Sequence, residues 1–261
     1  MSWKRPWKSD PPEVIGCREF LTLLPDVGER GVQYGIGLAG YPLWRLRQRR
    51  GEPAELPSRP DTKWAEVVEN FARKQLTAHW RRHSERTWYF ATALSAADRE
   101  KHVPALDPGL EPELELDEWH ELVYIASMLH DSGLVSDRRT ECFAKASAAN
   151  ALSTAAKAGA SRAKAELVAN AIASHISVKP GNKLGKYIQL GSLLDVTGFR
   201  VWSIERAVVS AACAASPREG FPAECRKQWA AECEAFPNGR AAYARRPGLL
   251  VAVSHMRLLP R

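Results

Sequence analysis

Apolar residues recur along most of the chain at the spacing of one face of an α-helix. The first clear stripe joins Trp64 to Val67, Val68, Phe71 and Leu76, which lie three, four, seven and twelve positions further along. This spacing is typical of an amphipathic helix, whereas the two-residue alternation of a half-buried strand is nearly absent. The pattern therefore predicts an all-α protein folded as a compact helical bundle.

Similar stripes predict a series of further helices. They are expected at about 79–97, 118–130, 141–158, 162–177, 187–196, 204–215 and 222–236. The stretches 141–158 and 162–177 are rich in Ala and Lys, which are strong helix formers. An acidic, proline-containing segment at 104–118 is expected to be a solvated loop that leads into a helix capped near Asp117.

The first part of the chain has a different pattern and predicts an irregular N-terminal extension over 1–62, which ends in a proline-rich linker, followed by a helical domain over 63–261. Within the extension, Gly35, Gly37 and Gly40 match the spacing of a GxGxxG phosphate loop. No convincing strand precedes these glycines and no βαβ unit follows, so the match is weak. A packing segment or a short helix is the favoured interpretation.

Charge and composition limit the classes of partner. The chain has 261 residues, 45% of them apolar, and a net charge of +7 that is spread along its length. Such a charge does not by itself predict nucleic-acid binding. The basic segments Arg45–Arg50 and Arg240–Arg261 are interpreted as solvated surface, with an acidic partner as the alternative.

Two further features bear on location. No window approaches the ~18 apolar residues of a transmembrane helix, and the first residues lack the apolar region of a secretory signal. The five cysteines are scattered and include no CxxC pair. Idle thiols of this kind favour a reducing compartment, so a cytoplasmic protein without membrane contact is expected.

The most informative polar residues are His130 and Asp131, which end an apolar helix face just before Gly133. A buried carboxylate costs several kcal/mol unless a partner, a water or a cation compensates it. An imidazole and a carboxylate are both ligands for zinc, iron or manganese. The alternative is structural, with His130 interacting with the helix dipole and Asp131 capping the next turn.

Three further side chains that bind metals lie in otherwise apolar helical patterns. They are His83, His175 and Asp195, each on a different predicted helix. Helical bundles build metal sites by directing such side chains inward from several helices. For His175, the alternative is a hydrogen-bonded core histidine. His79, four residues before His83, is expected to have a structural or supporting role.

The order of these residues, H…HD…H…D, resembles the HD superfamily of metal-dependent hydrolases. The segment 83–86 resembles the HSxR motif of that family, 124–134 its central segment and 190–198 its closing helix. Together the three segments most closely resemble the cyanamide hydratase branch, over about residues 64–245. The resemblance implies an HD-type helical bundle and a metal-dependent hydratase or hydrolase.

The resemblance also implies the roles of individual residues. One divalent metal, zinc with manganese or iron as alternatives, would be held by four residues: His83, His130, Asp131 and Asp195. Asp131 would also orient a metal-activated water that adds to a small nitrile-like substrate, and His175 would move a proton. The family often has Phe-Glu where this chain has Phe143-Ala144, which leaves the identity of the substrate open.

Two other functions remain open from the sequence. An HD-type phosphohydrolase acting on a nucleotide or another phosphoester would need several cations around the phosphate. The candidates are Arg86, Lys179, Lys183, Lys186 and Arg200. The other alternative is a non-catalytic HD-like interaction module. A small-molecule substrate is the expected partner, no specific nucleic-acid binding is expected, and the sequence leaves open whether the chain forms a homo-oligomer.

Overall fold

A computed structural model describes residues 32, 35, 37, 39–44, 54–100, 115–135, 141–177, 180–245 and 259 of the chain. These residues form α-helices, one short 3₁₀-helix and the connections between them, and they contain no strand. The predicted all-α class is therefore confirmed. Among the helices in these ranges, none has both the length and the apolar character that a membrane crossing requires.

The helices follow one another closely along the described part of the chain. The 3₁₀-helix lies at Val201–Ser203, and the α-helices are α1 (Lys63–Gln75), α2 (Ala78–Glu100), α3 (Leu116–Leu129), α4 (Phe143–Ala158), α5 (Arg162–Ser174), α6 (Lys183–Thr197), α7 (Arg206–Ala215), α8 (Phe221–Ala235) and α9 (Arg240–Arg245). Most of these match predicted helices to within a few residues. Of the acidic segment at 104–118, residues 104–114 lie outside the described ranges.

The start of α3 differs in detail from the prediction. The residue before the helix is Glu115, whose side chain makes no capping hydrogen bond, and Asp117 lies inside the first turn. An acidic side chain in the first turn still interacts favourably with the helix dipole, although it does not cap the helix. The capping position near Asp117 was therefore predicted two residues too late.

Local side-chain hydrogen bonds explain why several helices begin where they do. Thr62 caps α1 by accepting from the backbone N–H of Ala65 at 3.2 Å. Asn182 caps α6 by accepting from the N–H of Gly185 at 2.7 Å. At its other end, α6 stops at Gly198, which adopts the left-handed conformation (φ 76°) that a glycine takes without strain.

The core is organised around α2, which packs most extensively against α6 and also contacts α3, α7 and α8. Gly191 on α6 makes this close approach feasible. A Cβ atom added there would lie 2.5 Å from the carbonyl oxygen of Thr87 on α2 and 2.9 Å from the backbone nitrogen of Ala91. Because Asp195 follows Gly191 by one helical turn, the same contact brings its carboxylate against α2.

The described residues between 32 and 44 are helical and pack on the body of the molecule. Trp44 donates its indole N–H to the carbonyl oxygen of Ile204 at 2.9 Å. Gly37 lies against the ring of Trp202, which would overlap any added Cβ. Gly35 and Gly40 are also helical, so the predicted short helix is found and the phosphate-loop alternative is wrong. The basic run Arg45–Arg50 lies outside the described residues.

The cysteines that the structure describes are all buried: Cys142, Cys213, Cys225 and Cys233. Burial raises the pKa of Cys225 to about 12, so its thiol stays protonated at neutral pH. No disulfide exists among these four residues, as the scattered spacing predicted. Cys17 lies outside the described part of the chain.

Candidate metal centre

Three imidazoles meet around one carboxylate in the interior of the bundle. His83 lies on α2, His130 and Asp131 directly follow α3, and His175 directly follows α5. The Nε2 atoms of His83 and His130 lie 3.3 and 3.2 Å from Asp131 Oδ2. The Nε2 atom of His175 lies 3.5 Å from the other oxygen, Asp131 Oδ1. The fold thus brings together four of the five predicted site residues.

His130 and His175 are held by the same local device. Each is the residue at which an apolar helix ends, and its ring folds back onto the last turn. His130 donates its Nδ1 hydrogen to the carbonyl oxygen of Ser127 at 2.7 Å. His175 donates its Nδ1 hydrogen to the carbonyl oxygen of Ile172 at 2.6 Å. Both rings are therefore fixed by the backbone, with Nε2 pointing away from the helix.

Position 133, in the turn after Asp131, must be glycine for this arrangement to exist. A Cβ added at Gly133 would lie 2.3 Å from the carbonyl oxygen of Phe143, the first residue of α4. The N–H of Gly133 also donates to Ser147 Oγ on α4 at 2.8 Å. The glycine that ends the sequence motif therefore lets α4 pack directly against the turn that carries Asp131.

His83 is fixed by a side chain rather than by the backbone. Its Nδ1 donates to Asp195 Oδ2 at 2.7 Å. Its ring stacks on Phe221 of α8, with centroids 4.7 Å apart, and the edge of Trp80 closes another side. The ring is fully buried and has little freedom to rotate.

These contacts leave two buried nitrogen atoms that lie 3.2–3.3 Å from Asp131 Oδ2 without a well-aligned hydrogen bond. The acceptors at Nδ1 make Nε2 the nitrogen that each ring has free for a cation. Among the residues that the structure describes, Nε2 of His83 and Nε2 of His130 have no hydrogen-bond partner. A buried polar atom left unpaired costs about 1–3 kcal/mol. The ligand atoms of His83, His130 and Asp131 lie within 4.8 Å of one another, so this group could hold a metal ion.

Burial and the mutual contacts set the charges of the cluster. Burial lowers the pKa of His130 and keeps its ring neutral. Burial alone would lower the pKa of His83, but its contacts with the carboxylates of Asp131 and Asp195 outweigh burial and raise it. Burial alone would raise the pKa of Asp131, but the facing imidazoles, His130 foremost, bring it well below its usual range. Metal ligands must be deprotonated, so a cation competes with a proton for His83.

Asp195 does not join this group in the way the sequence predicted. It lies on the Nδ1 side of His83, whereas Asp131 lies on the Nε2 side. Asp195 Oδ1 accepts from Arg86 and from Arg218, each at 2.7 Å, and Oδ2 accepts from Arg86 at 2.8 Å as well as from His83. With four donors already in place, this carboxylate holds the imidazole of His83, and it is not part of the group whose ligand atoms lie close enough together to hold an ion.

Arg218 was missed by the sequence analysis. It lies in the connection between α7 and α8 and is 5% exposed, yet the sequence there carries no apolar periodicity that would indicate burial. The only local signal is an arginine between a proline and Gly220, where the chain turns with φ 74°. Such a pattern is typical of exposed loops, so only the folded structure reveals the contact.

His79 lies outside the group that could hold a metal. Its ring packs against Gly220, where an added Cβ would lie 2.5 Å from His79 Cε1. The structural role expected for His79 agrees with this contact.

The cations considered for a phosphate site have other partners. Arg86 is fully buried and contacts Asp195. The other described candidates face side chains away from the cluster: Lys183 lies over Trp119, Lys186 lies over Tyr187, and Arg200 pairs with Asp98. Lys179 lies outside the described residues.

The cluster is almost completely shielded from solvent. The side chains of His83 and His130 are fully buried, whereas those of Asp131 and His175 are 9% and 6% exposed. Phe143 presents the edge of its ring to His175 at a centroid distance of 5.7 Å. Of the four cluster side chains, only those of Asp131 and His175 therefore have any contact with solvent.

A buried carboxylate also lies near Phe143, although the next residue along the chain is Ala144. Glu232 reaches across from α8 and accepts from the N–H of Phe143 at 3.0 Å. It is almost completely buried. Glu232 was not predicted, although it lies seven residues after Cys225 and therefore on the buried face of α8, a spacing that could have indicated it.

Comparisons with known proteins do not assign a family to this chain. A scan of protein-family models gives no match, and a search of curated proteins likewise finds no similar sequence. The function is therefore inferred from the residues of the cluster and from their contacts.

Proposed function

We propose that this protein is a metal-dependent enzyme of the HD type, similar to cyanamide hydratases, that adds water to a small nitrile-like substrate. The observation that carries the proposal is the convergence of two buried Nε2 atoms, on His83 and His130, on the same oxygen of Asp131, without a well-aligned hydrogen bond to it. The ligand atoms of these three residues lie close enough together to share one ion. Two buried imidazoles that face one carboxylate oxygen in this way are well explained by a cation between them.

The donor set fits a catalytic metal. Two imidazoles and a carboxylate leave coordination positions open for water and substrate, as in catalytic zinc sites with three protein ligands. When bound, such a metal lowers the pKa of a coordinated water from 15.7 to about 7 and polarises an electrophile. Zinc is the proposed ion; manganese and iron accept the same ligands.

Asp131 and His175 are proposed to carry the proton chemistry. Asp131 Oδ2 faces the two fully buried imidazoles, and Oδ1 faces His175, whose side chain is 6% exposed. In that position Oδ1 orients the attacking water, and His175 Nε2 accepts its proton and returns it to the nitrogen of the substrate. The bond from Nδ1 to Ile172 keeps Nε2 directed at this path.

The surroundings favour a small, uncharged substrate over a phosphoester. The side chains of Asp131 and His175 are only 9% and 6% exposed and the other two imidazoles are fully buried, which favours a compact molecule over a nucleotide. Phosphoryl transfer relies on cations that converge on the phosphate oxygens. The described candidates for that role are engaged elsewhere, and the candidate beside the cluster, Arg86, has Asp195 and two backbone carbonyls as partners. The proposed activity needs no such clamp.

The test combines metal analysis with two assays. Purified chain should contain about one equivalent of transition metal, lose it with a chelator and recover activity when it is restored. The metal-loaded protein should release urea from cyanamide or an amide from another small nitrile. Phosphate release from a nucleotide panel without nitrile hydration would favour the phosphohydrolase, and a protein that binds no metal would favour the interaction module.

Two variants sharpen this test. His83→Gln should lose both the metal and the activity, because it removes a ligand. His175→Gln should keep the metal and lose most turnover, by about 10²–10⁴-fold for a residue that transfers a proton. A His175→Gln protein with full turnover would contradict the assigned role.

A further inference from the structure

A buried clamp of two arginines around one carboxylate lies behind His83. We call Arg86, Asp195 and Arg218 the arginine clamp. Arg86 binds both oxygens of Asp195, with Nε to Oδ1 at 2.7 Å and Nη2 to Oδ2 at 2.8 Å. Arg218 adds a third bond, from Nη1 to Oδ1 at 2.7 Å. The fourth donor to this carboxylate is the Nδ1 hydrogen of His83.

Backbone contacts hold the clamp in place. Arg86 Nη1 donates to the carbonyl oxygens of Ser216 and Pro217 at 2.8 and 3.1 Å. Arg218 Nη1 also donates to the carbonyl oxygen of Asp195 at 2.6 Å. The clamp thus ties α2, α6 and the connection before α8 to one another, with the carboxylate at the centre.

The clamp exceeds what neutralising one carboxylate requires. A single bidentate arginine already matches the geometry and charge of a carboxylate. A second buried guanidinium adds a positive charge beyond that match, which is expensive in the interior. The second arginine fixes the orientation of the Asp195 carboxylate, because it occupies Oδ1 and leaves Oδ2 to Arg86 and the imidazole.

We propose that the arginine clamp is a positioning device for His83, and that Asp195 acts through this imidazole instead of binding the metal. The clamp holds Asp195 in one orientation, Asp195 holds the Nδ1 hydrogen of His83, and the ring then keeps Nε2 aimed at Asp131. This inference rests on the metal site of the proposed function. It goes further by assigning Asp195 and Arg218 to metal affinity without direct contact.

The chain contains its own control for a purely structural ion pair. Asp98 is a second buried carboxylate that is bound by an arginine, with Asp98 Oδ1 and Oδ2 at 2.5 and 3.1 Å from Arg200. Its other hydrogen-bond donor is the hydroxyl of Tyr187 at 3.2 Å, so no imidazole of the cluster depends on it. Loss of Asp98 removes a comparable ion pair without touching His83.

The experiment measures the affinity and the coordination of the bound metal. Wild type, Asp195→Asn, Arg218→Met and Asp98→Asn would be titrated with Zn²⁺ and, separately, with Co²⁺ while its visible absorption is recorded. Loss of the partner that orients a metal-binding histidine lowers affinity by about 10–100-fold. Asp195→Asn should show that loss with an unchanged Co²⁺ band shape, Arg218→Met a smaller loss, and Asp98→Asn wild-type affinity.

Several results would overturn the inference. Wild-type affinity in Asp195→Asn would show that the clamp does not act on the metal, and a changed Co²⁺ band shape would show that Asp195 is a ligand. Equal weakening in Asp98→Asn would indicate a general packing effect. If Asp195→Asn does not fold by circular dichroism, Arg218→Met decides, and unchanged affinity there counts against the clamp.

The same experiments distinguish a failure of the proposed function from a failure of the arginine clamp. Wild-type protein that binds metal tightly but hydrates no nitrile would refute the proposed reaction and leave the clamp intact, provided that Asp195→Asn weakens the metal. Wild-type protein that binds no metal would refute both.

Discussion

Two buried carboxylates, Asp195 and Asp98, are held by arginine in different parts of the bundle. Each lies on or beside the α2–α6 contact, and each accepts from both arms of a guanidinium. They differ in a further partner, which is the imidazole of His83 for Asp195 and the hydroxyl of Tyr187 for Asp98. The same ion-pair chemistry therefore supports a candidate metal ligand in one place and only the fold in the other.

The two carboxylates also differ in how far their arginine partners are exposed to solvent. Arg86 is fully buried. The carboxylate that it binds, Asp195, contacts His83, which in turn contacts Asp131. The side chain of Arg200 is 19% exposed, and its backbone adopts the left-handed conformation at φ 63°. A cation with access to water can be resolvated when its partner is lost, whereas a fully buried one cannot. The two ion pairs should therefore respond differently to the same substitution.

The largest effect is expected at Asp131, which the arginine clamp reaches through Asp195 and His83. Asp131→Ala removes the carboxylate that faces all three imidazoles, so bound metal and turnover should both be lost. Metal content by mass spectrometry and the nitrile assay measure this directly. An Asp131→Ala protein that retained stoichiometric metal and full turnover would refute the ligand assignment, and Asp98→Ala provides the comparison that should retain the metal.

The next effect is on stability. Asp195→Ala leaves Arg86 and Arg218 buried without their carboxylate, which should lower the free energy of unfolding by about 3–5 kcal/mol. Asp98→Ala should cost clearly less, because Arg200 reaches water. Urea unfolding of the metal-free proteins at neutral pH would compare the two. Equal losses would show that the difference in burial has no energetic consequence.

A smaller effect is expected from the helix contact that positions Asp195. Gly191→Ala places a methyl group against the backbone of α2, and overpacking of this kind costs about 1–3 kcal/mol. Metal affinity should also fall, because Asp195 lies one turn away. Gly35→Ala is the control, since an added Cβ there meets nothing within 4 Å and removes the entropic cost of a helical glycine. Thermal unfolding would detect both changes, and a Gly191→Ala protein as stable as wild type would contradict the prediction.

The smallest effect is expected at Asp98 and concerns how the stability of the fold changes at acid pH. Burial alone would raise the pKa of Asp98, but the Arg200 guanidinium outweighs burial and lowers it below the ordinary 3.8. A carboxyl with a lowered pKa stabilises the fold above its unfolded pKa, and this stabilisation is lost as the pH falls. Asp98→Asn should therefore unfold at neutral pH more easily than wild type and lose less further stability below about pH 4. Urea titrations at several pH values test this, and parallel curves for both proteins would contradict it.

The sequence predicted the residues of the cluster better than the residues that hold them in place. His83, His130, Asp131 and His175 were predicted because a polar residue in an apolar helical stripe must be buried, and burial demands a partner. Asp195 was singled out for the same reason as a fourth ligand; in the structure its carboxylate binds Nδ1 of His83 and two arginines. Periodicity places a side chain on the inner face of a helix, yet it does not say which edge of an imidazole that side chain meets.

Arg218 and Glu232 show that sequence patterns do not identify the partners of buried charged residues. Arg218 follows a proline in a connection between helices, and Glu232 lies among other charged residues on α8. Both are buried because of long-range contacts, to Asp195 and to the first residue of α4. Contacts of this type depend on how the helices assemble, which no local pattern encodes. The helices themselves were predicted well, since their length and amphipathic spacing are local properties.

The most direct test is a crystal structure of the protein grown with Zn²⁺, in which anomalous scattering locates the metal. The account predicts one peak roughly 2.0–2.2 Å from Nε2 of His83, Nε2 of His130 and an oxygen of Asp131, with Asp195 still bonded to His83 Nδ1. No peak at the cluster, or a zinc ion bound to Asp195 itself, would contradict it.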